Sequence, residues 1–160
     1  MSIVLCRVDD RLVHGQVVIG WGRPLAIDWF ALVDDEVAAS DLEKDLYRMA
    51  VPAGTTIEFV SAAAAGSRID AWAASSERVL ILTGSIDTMA AVHDQRPALI
   101  TIMNLGGIHG GPGRREYLPS VYLAEHELAT LRRLAADGVE ITAQDLPTTR
   151  PLHLEELVPS

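Results

Sequence analysis

Hydrophobic and polar positions along the chain alternate between two periods. Short β-branched and aliphatic runs of strand length are separated by longer stretches with apolar residues at helical spacing. Residues 3–8 read as a first strand, 9–15 as a polar turn, and a helix follows from about Gln16. Residues 28–33 form a second strand. Residues 37–50 read as one helix with Val37, Leu42, Leu46 and Met49 on its apolar positions, stopped by Pro52 and Gly54. Residues 56–60 are a third strand, 61–74 an alanine-rich helix packing through Ile69 and Trp72, and 78–82 a fourth strand. In the turn Thr83-Gly84-Ser85 the serine caps a helix running to about Asp94. Residues 99–103 make a fifth strand, followed by a glycine-rich segment, 104–115. A short strand at 120–123, a helix at 125–136 and a last strand at 139–143 precede a tail ending in a short helical turn. Strand–helix alternation with short links predicts a three-layer α/β/α fold with a mainly parallel sheet of six or seven strands. Without repeats or linkers, residues 1–160 read as a single domain.

Composition narrows the picture. At 49% hydrophobic and 22% charged residues, the chain has the makeup of an ordinary folded protein, not a disordered one. No apolar run approaches the roughly 20 residues that span a bilayer. The N-terminus lacks the basic region and cleavage site of a signal peptide, so a cytoplasmic location is expected. A net charge of −9 argues against nucleic acid and against charge-driven docking on anionic lipid; any anion site must be built locally. The one cysteine, Cys6, excludes an internal disulfide, and its apolar surroundings mark it as a small core residue. No Cys/His pattern suggests a metal, and no cofactor is expected.

In open α/β sheets, ligands bind beyond the carboxyl ends of the strands. Three loops lie there by this reading: residues 9–16, the Thr83–Gly84–Ser85 turn, and residues 104–115. The first holds two carboxylates, a guanidinium, an imidazole and a glycine. A neutral imidazole attacks phosphorus through one nitrogen, and the phosphorus–nitrogen product stays reactive. The start of a helix beside His14 would favour an anion. Arg11 suits phosphoryl oxygens through its planar fork, and Gly15 admits close backbone approach. An aspartate is suited to hold the other imidazole nitrogen or to orient Arg11. Thr83 and Ser85 are hydroxyl donors for phosphate or, equally, a turn residue and a helix cap. His109 lies in the glycine-rich segment with Arg114 and Arg115. That segment is either a flexible loop or a contact for the phosphoryl group or a partner. It lacks the Gly-Lys-Ser/Thr ending of a P-loop.

The segment Arg7-Val8-Asp9-Asp10-Arg11-Leu12-Val13-His14-Gly15-Gln16-Val17 resembles the active-site motif of the IIB subunits of the mannose/fructose/sorbose family of the sugar phosphotransferase system. Trp21, the stretch 33–38, the Asn104-Leu105-Gly106-Gly107 loop and the closing stretch through Asp145-Leu146-Pro147 are also similar to that family. The likeness covers nearly the whole chain. It departs at Leu82-Thr83-Gly84-Ser85, where many relatives carry a Thr-Asn-Pro type of turn, and in the residues after Gly107.

The resemblance implies a phosphocarrier with the covalent phosphoryl group on His14. It places Arg11, Asp10, Gly15 and Gln16 around that group; Thr83, Gly84 and Ser85 of the neighbouring turn stay phosphate-binding candidates on their position and hydroxyls, not on the resemblance. The donor would be a IIA subunit, met by Arg11, Arg114 and Arg115. The acceptor would be a sugar passing through IIC and IID membrane subunits. Homo-oligomerisation is compatible with this reading. The alternative is a regulatory or anion-binding module on the same fold.

Overall fold

The computed structural model describes residues 2–158. Seven strands form the main sheet: β1 (Ile3–Val8), β2 (Trp29–Val33), β3 (Thr56–Val60), β4 (Val79–Thr83), β5 (Ile102–Leu105), β8 (Glu140–Ala143) and β9 (Leu152–His153). Their order is β3-β2-β4-β1-β5-β8-β9, parallel throughout except for β9, which runs antiparallel to β8. The expected α/β architecture is therefore present.

Alternation along the strands divides the core between the two faces. Ala31 and Val33 of β2 and Val79 and Ile81 of β4 join a cluster completed by Ile69 and Trp72 of α3 (Gly66–Ala74), Met89 of α4 (Ile86–Gln95), Leu131 of α5 (Glu125–Ala136) and Leu157 of α6 (Leu154–Leu157). Phe30, Leu32, Leu80 and Leu82 face the other way, towards Val17, Val18 and Trp21 and towards Val37 of α1 (Asp35–Ala38). Each fully buried side chain of this size contributes about 1.5–3 kcal/mol.

Several boundaries differ from the sequence reading. The helix expected over 37–50 is two: α1, capped by Asp34, whose carboxylate accepts from Val37 N–H at 2.9 Å, and α2 (Asp41–Ala50), capped by Ser40. A capping residue at Ser40 ends the first helix, because its backbone is extended there. Leu42, Leu46 and Met49, on the apolar positions of that stretch, are exposed, at 71%, 57% and 82%. The helix rests on the sheet through Tyr47 instead. The fifth strand lies later than expected, because the chain leaves α4 through further turns from Arg96 to Leu99 and Ile100. The glycine-rich segment is shorter than expected: it begins after Leu105 and ends in β6 (Arg114–Leu118), which the sequence reading missed. The short strand predicted at 120–123 is β7 (Val121–Ala124); it pairs antiparallel with β6, outside the main sheet.

Residues Gln16–Trp21 form a π-helical turn rather than the start of an α-helix. Val18 N–H donates to His14 C=O, and Gly22 N–H reaches back five residues to Val17 C=O at 2.8 Å. Wide turns of this kind are uncommon and concentrate at functional sites.

Candidate functional site

β1 sits in the middle of the sheet between β4 and β5. The chain crosses to β2 on one side after β1 and to β5 on the other after β4. The crevice of such a sheet opens at this reversal, and the loop after β1 is placed in it. The three loops singled out in the sequence meet there. Asp9 N–H donates to Thr83 C=O at 2.9 Å, Gly106 N–H to Val8 C=O at 2.8 Å, and Asp10 N–H to Gly107 C=O at 2.8 Å.

The hub of the site is Asp9, whose side chain is buried. Its Oδ1 accepts from the backbone N–H and from Nε of Arg11, both at 3.1 Å, and its Oδ2 accepts from Arg11 Nη2 at 3.0 Å. This fork-on-carboxylate pairing fixes the guanidinium plane and leaves the remaining N–H groups of Arg11 for another anion. Burial pushes the Asp9 pKa up, but hydrogen bonds from Arg11 and from Gly107 N–H outweigh it and hold the carboxyl below its ordinary range. Sequence reasoning left the choice between the two adjacent aspartates open and carried Asp10 as the candidate. The structure gives the central position to Asp9.

Arg7 is also fully buried. It donates to the Asn104 side chain, to Gln144 C=O at 2.8 Å, to Asp145 C=O at 3.3 Å and to Asp9 Oδ2 at 3.5 Å, and it stacks 4.7 Å from the Trp21 ring centroid. Burial lowers its pKa to about 10, so it remains a cation at neutral pH. Several kcal/mol of desolvation are offset by these partners. The Asp145 carbonyl also accepts from Gln16 Nε2 and Trp21 Nε1, which ties the loop after β8 to the site.

His14 stands over this foundation with its side chain 20% exposed. Nε2 lies 3.3 Å from Asp9 Oδ2, close enough for attraction though off hydrogen-bond alignment. Nδ1 accepts from Gln16 N–H at 3.3 Å. Burial lowers the ring's pKa; the Asp9 charge opposes this, and the nearby Arg11 and Arg7 charges reinforce it. The net effect favours the neutral imidazole. The expected helix-dipole contribution is not available, because the six-residue π turn supplies one N–H rather than the end of a long helix. Leu12 holds the loop's shape at φ +58°, a conformation costly for a branched side chain. Its side chain is buried beside Gly84, where an added Cβ would meet Leu12 Cδ2 at 3.1 Å.

The other predicted residues divide clearly. Gly15 and Gln16 flank His14, and Arg11 stands beside it. The Thr83 hydroxyl is buried and donates to Ser85 C=O, while Ser85 Oγ accepts from Thr88 N–H as a helix cap. Thr83, Gly84 and Ser85 therefore support the loop through their own turn. Asp10 holds His109 instead of facing His14. Arg114 forks onto buried Glu127, and Arg115 lies over the Tyr117 ring. A cleft of about 310 Å³ opens beside Arg11 and Gln16, with His109, Ser120, Tyr122 and Asp145 among its walls. Cys6 is fully buried, and burial pushes its thiol up to about 12. No helix among the described residues is long and apolar enough to cross a membrane.

Fold and site together define a doubly wound α/β protein presenting a histidine beside an arginine fork at the switch point of its sheet. The chain belongs to the family described as PTS system sorbose subfamily IIB component, which matches residues 3–160. It is thus a IIB component of the phosphotransferase system. It is 30% identical over 99% of its length to the PTS system mannose-specific EIIAB component of Escherichia coli K12, covering 49% of that protein. The chain therefore spans about half the length of the first curated relatives it matches. It is 26% identical to the N-acetylgalactosamine-specific phosphotransferase enzyme IIB component 2 of the same organism, over 98% of this chain and 99% of that one. Among solved structures, manxB from Thermoanaerobacter tengcongensis superposes with a TM-score of 0.85 at 33% identity, covering 98% of this chain and 94% of the other. The IIBSor domain of the Klebsiella pneumoniae sorbose permease gives 0.88 at 25% identity, over 98% and 96%.

Proposed function

We propose that this chain carries a phosphoryl group on Nδ1 of His14, accepting it from a IIA subunit and passing it to a sugar handled by IIC and IID membrane subunits. One observation carries the reading: the His14 ring is held between a buried carboxylate and a backbone N–H, beside the Arg11 fork. A carboxylate is an acceptor only, so Nε2 facing Asp9 is the natural seat of the ring proton. Nδ1, which accepts from Gln16 N–H, then bears the lone pair that attacks phosphorus. Asp9 stabilises the positive ring that results, and the outer N–H groups of Arg11 meet the phosphoryl oxygens as charge moves. Cys6, the other nucleophile to weigh, is buried and held protonated. The names of the relatives span mannose, N-acetylgalactosamine and fructose, so the proposal is a sugar without choosing one.

The test is intact mass after incubation with phosphoenolpyruvate, the general phosphotransferase proteins and a IIA subunit, alongside His14→Ala. One acid-labile phosphoryl adduct, absent from the variant, is expected. No adduct on the wild type with the IIA subunit demonstrably charged would replace this reading with a regulatory one.

A further inference from the structure

The first transfer, nitrogen to nitrogen, releases no hydroxyl proton. The second, nitrogen to a sugar oxygen, does; Asp9 is fully buried against Arg7, Arg11 and the His14 ring, and Arg11 is already protonated, so neither is placed to take that proton. A proton acceptor must stand elsewhere, and one other imidazole borders the cleft beside Arg11 and Gln16.

That imidazole, His109, is 71% exposed yet held at three points. Its backbone N–H donates to Asp10 Oδ2 at 2.7 Å, and its Nδ1 lies 2.7 Å from Asp10 Oδ1. Its carbonyl accepts from Arg114 Nη1 at 2.9 Å, and that guanidinium is itself anchored on buried Glu127. Asp10 is fixed in turn by its own N–H on Gly107 C=O. An exposed side chain on a glycine-rich segment ordinarily loses conformational entropy when ordered; here a hydrogen bond from the ring to the Asp10 carboxylate and two main-chain bonds oppose that loss. Because the carboxylate only accepts, Nδ1 carries the hydrogen, and the neutral ring turns a lone pair outward on Nε2. This is the carboxylate–imidazole arrangement that makes a general base. The cleft wall adds the polar groups of Ser120, Tyr122 and Asp145, with Ser120 Oγ donating to Asp145 Oδ1 at 3.0 Å. Such a lining suits a polyhydroxylated acceptor.

We propose that His109, oriented by Asp10, takes the proton of the acceptor hydroxyl in the second transfer, at the cleft beside Arg11; this rests on His14 being the carrier. In that step the P–Nδ1 bond of His14 breaks and its electron pair returns to the ring. The acceptor oxygen bonds to phosphorus as its O–H bond breaks. The proton goes to Nε2 of His109 and from there to water. The proton on Nε2 of His14 stays beside Asp9, and the ring leaves neutral.

The experiment separates the two half-reactions. Wild type, His109→Gln and Asp10→Asn are loaded with phosphoramidate, a small donor that needs no IIA subunit, and His14→Ala confirms where the adduct sits. Loaded proteins are then transferred into buffer with molar mannose, and ³¹P NMR follows loss of the adduct to sugar phosphate and inorganic phosphate. Both variants are expected to load at rates near that of wild type but to deliver about 100-fold more slowly, the usual size of a general-base contribution. Asparagine keeps the loop contact but donates to Nδ1, which removes the outward lone pair, so a purely structural role for Asp10 would leave delivery intact. Equal delivery rates, or loading that falls in step with delivery, would overturn the proposal. So would an adduct that persists in His14→Ala, which would make His109 an acceptor of phosphate instead. Failure of the IIA-dependent reaction alone would remove the carrier reading while this comparison still ran.

Discussion

At the scale of residues, the site turns on which atoms of His14 and Asp9 carry charge. The His14 pKa lies below the ordinary imidazole value, chiefly through burial. The unfolded chain therefore takes up this proton near pH 6.5, where the folded ring is still neutral. Two effects follow with one sign. Phosphoryl uptake should stay level as pH falls to about 6.5 and decline only below it, when the nucleophile begins to protonate. Over the same lower range this group's contribution to stability is lost, since the unfolded state binds more protons there. Initial rates of adduct formation between pH 5 and 8, set beside urea midpoints, check both; a decline already beginning above pH 7 would contradict the neutral-ring assignment.

At the scale of elements, the loop after β1 keeps its shape because two other loops press on it. Gly106 shows how tightly. A Cβ there would lie 2.8 Å from Asp9 Oδ2 and closer still to the Arg7 guanidinium, two buried groups with nowhere to move. Gly106→Ala is accordingly expected to destabilise the protein by about 1–3 kcal/mol, the usual cost of overpacking, and to slow uptake on His14 by displacing Asp9. Urea unfolding and adduct formation measure the two consequences. A variant as stable and as active as wild type would mean that Arg7 has slack the packing does not show. The glycine-rich segment was legible as a loop but not as the partner of Asp10, since nothing local in the sequence pairs residue 10 with residue 109. The β6–β7 pairing was hidden for the same reason: Arg114 and Arg115 read as loop charges until a neighbouring strand gives them a ladder.

At the scale of the whole molecule, the two faces of the sheet are covered unequally. The face under α3, α4 and α5 is thickly packed around Met89, Trp72 and Leu131. The other carries the short π turn, α1 and α2, and leaves Leu42, Leu46 and Met49 in solvent. Stability should follow that asymmetry. Replacing Leu42, Leu46 and Met49 singly by Gln should shift the unfolding free energy by no more than about 0.5 kcal/mol each, whereas Met89→Ala should cost about 2–5 kcal/mol. Thermal or urea unfolding of the four variants decides it; a large loss at Leu46 would mean that this face is buried in solution.

The types and order of most elements, and a histidine and an arginine poised after the first strand, were determined by the sequence itself. Periodicity, capping and turn chemistry act within ten or fifteen residues, and the motif from Arg7 to Val17 is contiguous. Tertiary structure decided what distant parts of the chain do to one another. Asp9 and Asp10 are adjacent and chemically alike, but Asp9 is buried under Arg7 and Arg11 while Asp10 turns to His109. Nothing near Arg7 in the sequence shows that Asn104 and Asp145, 97 and 138 residues away, close over it. Helical spacing placed Leu42, Leu46 and Met49 on one face, but only the packing of α2 through Tyr47 decided that this face looks outward. Burial is a property of the assembled layers, and no local pattern of residues contains it.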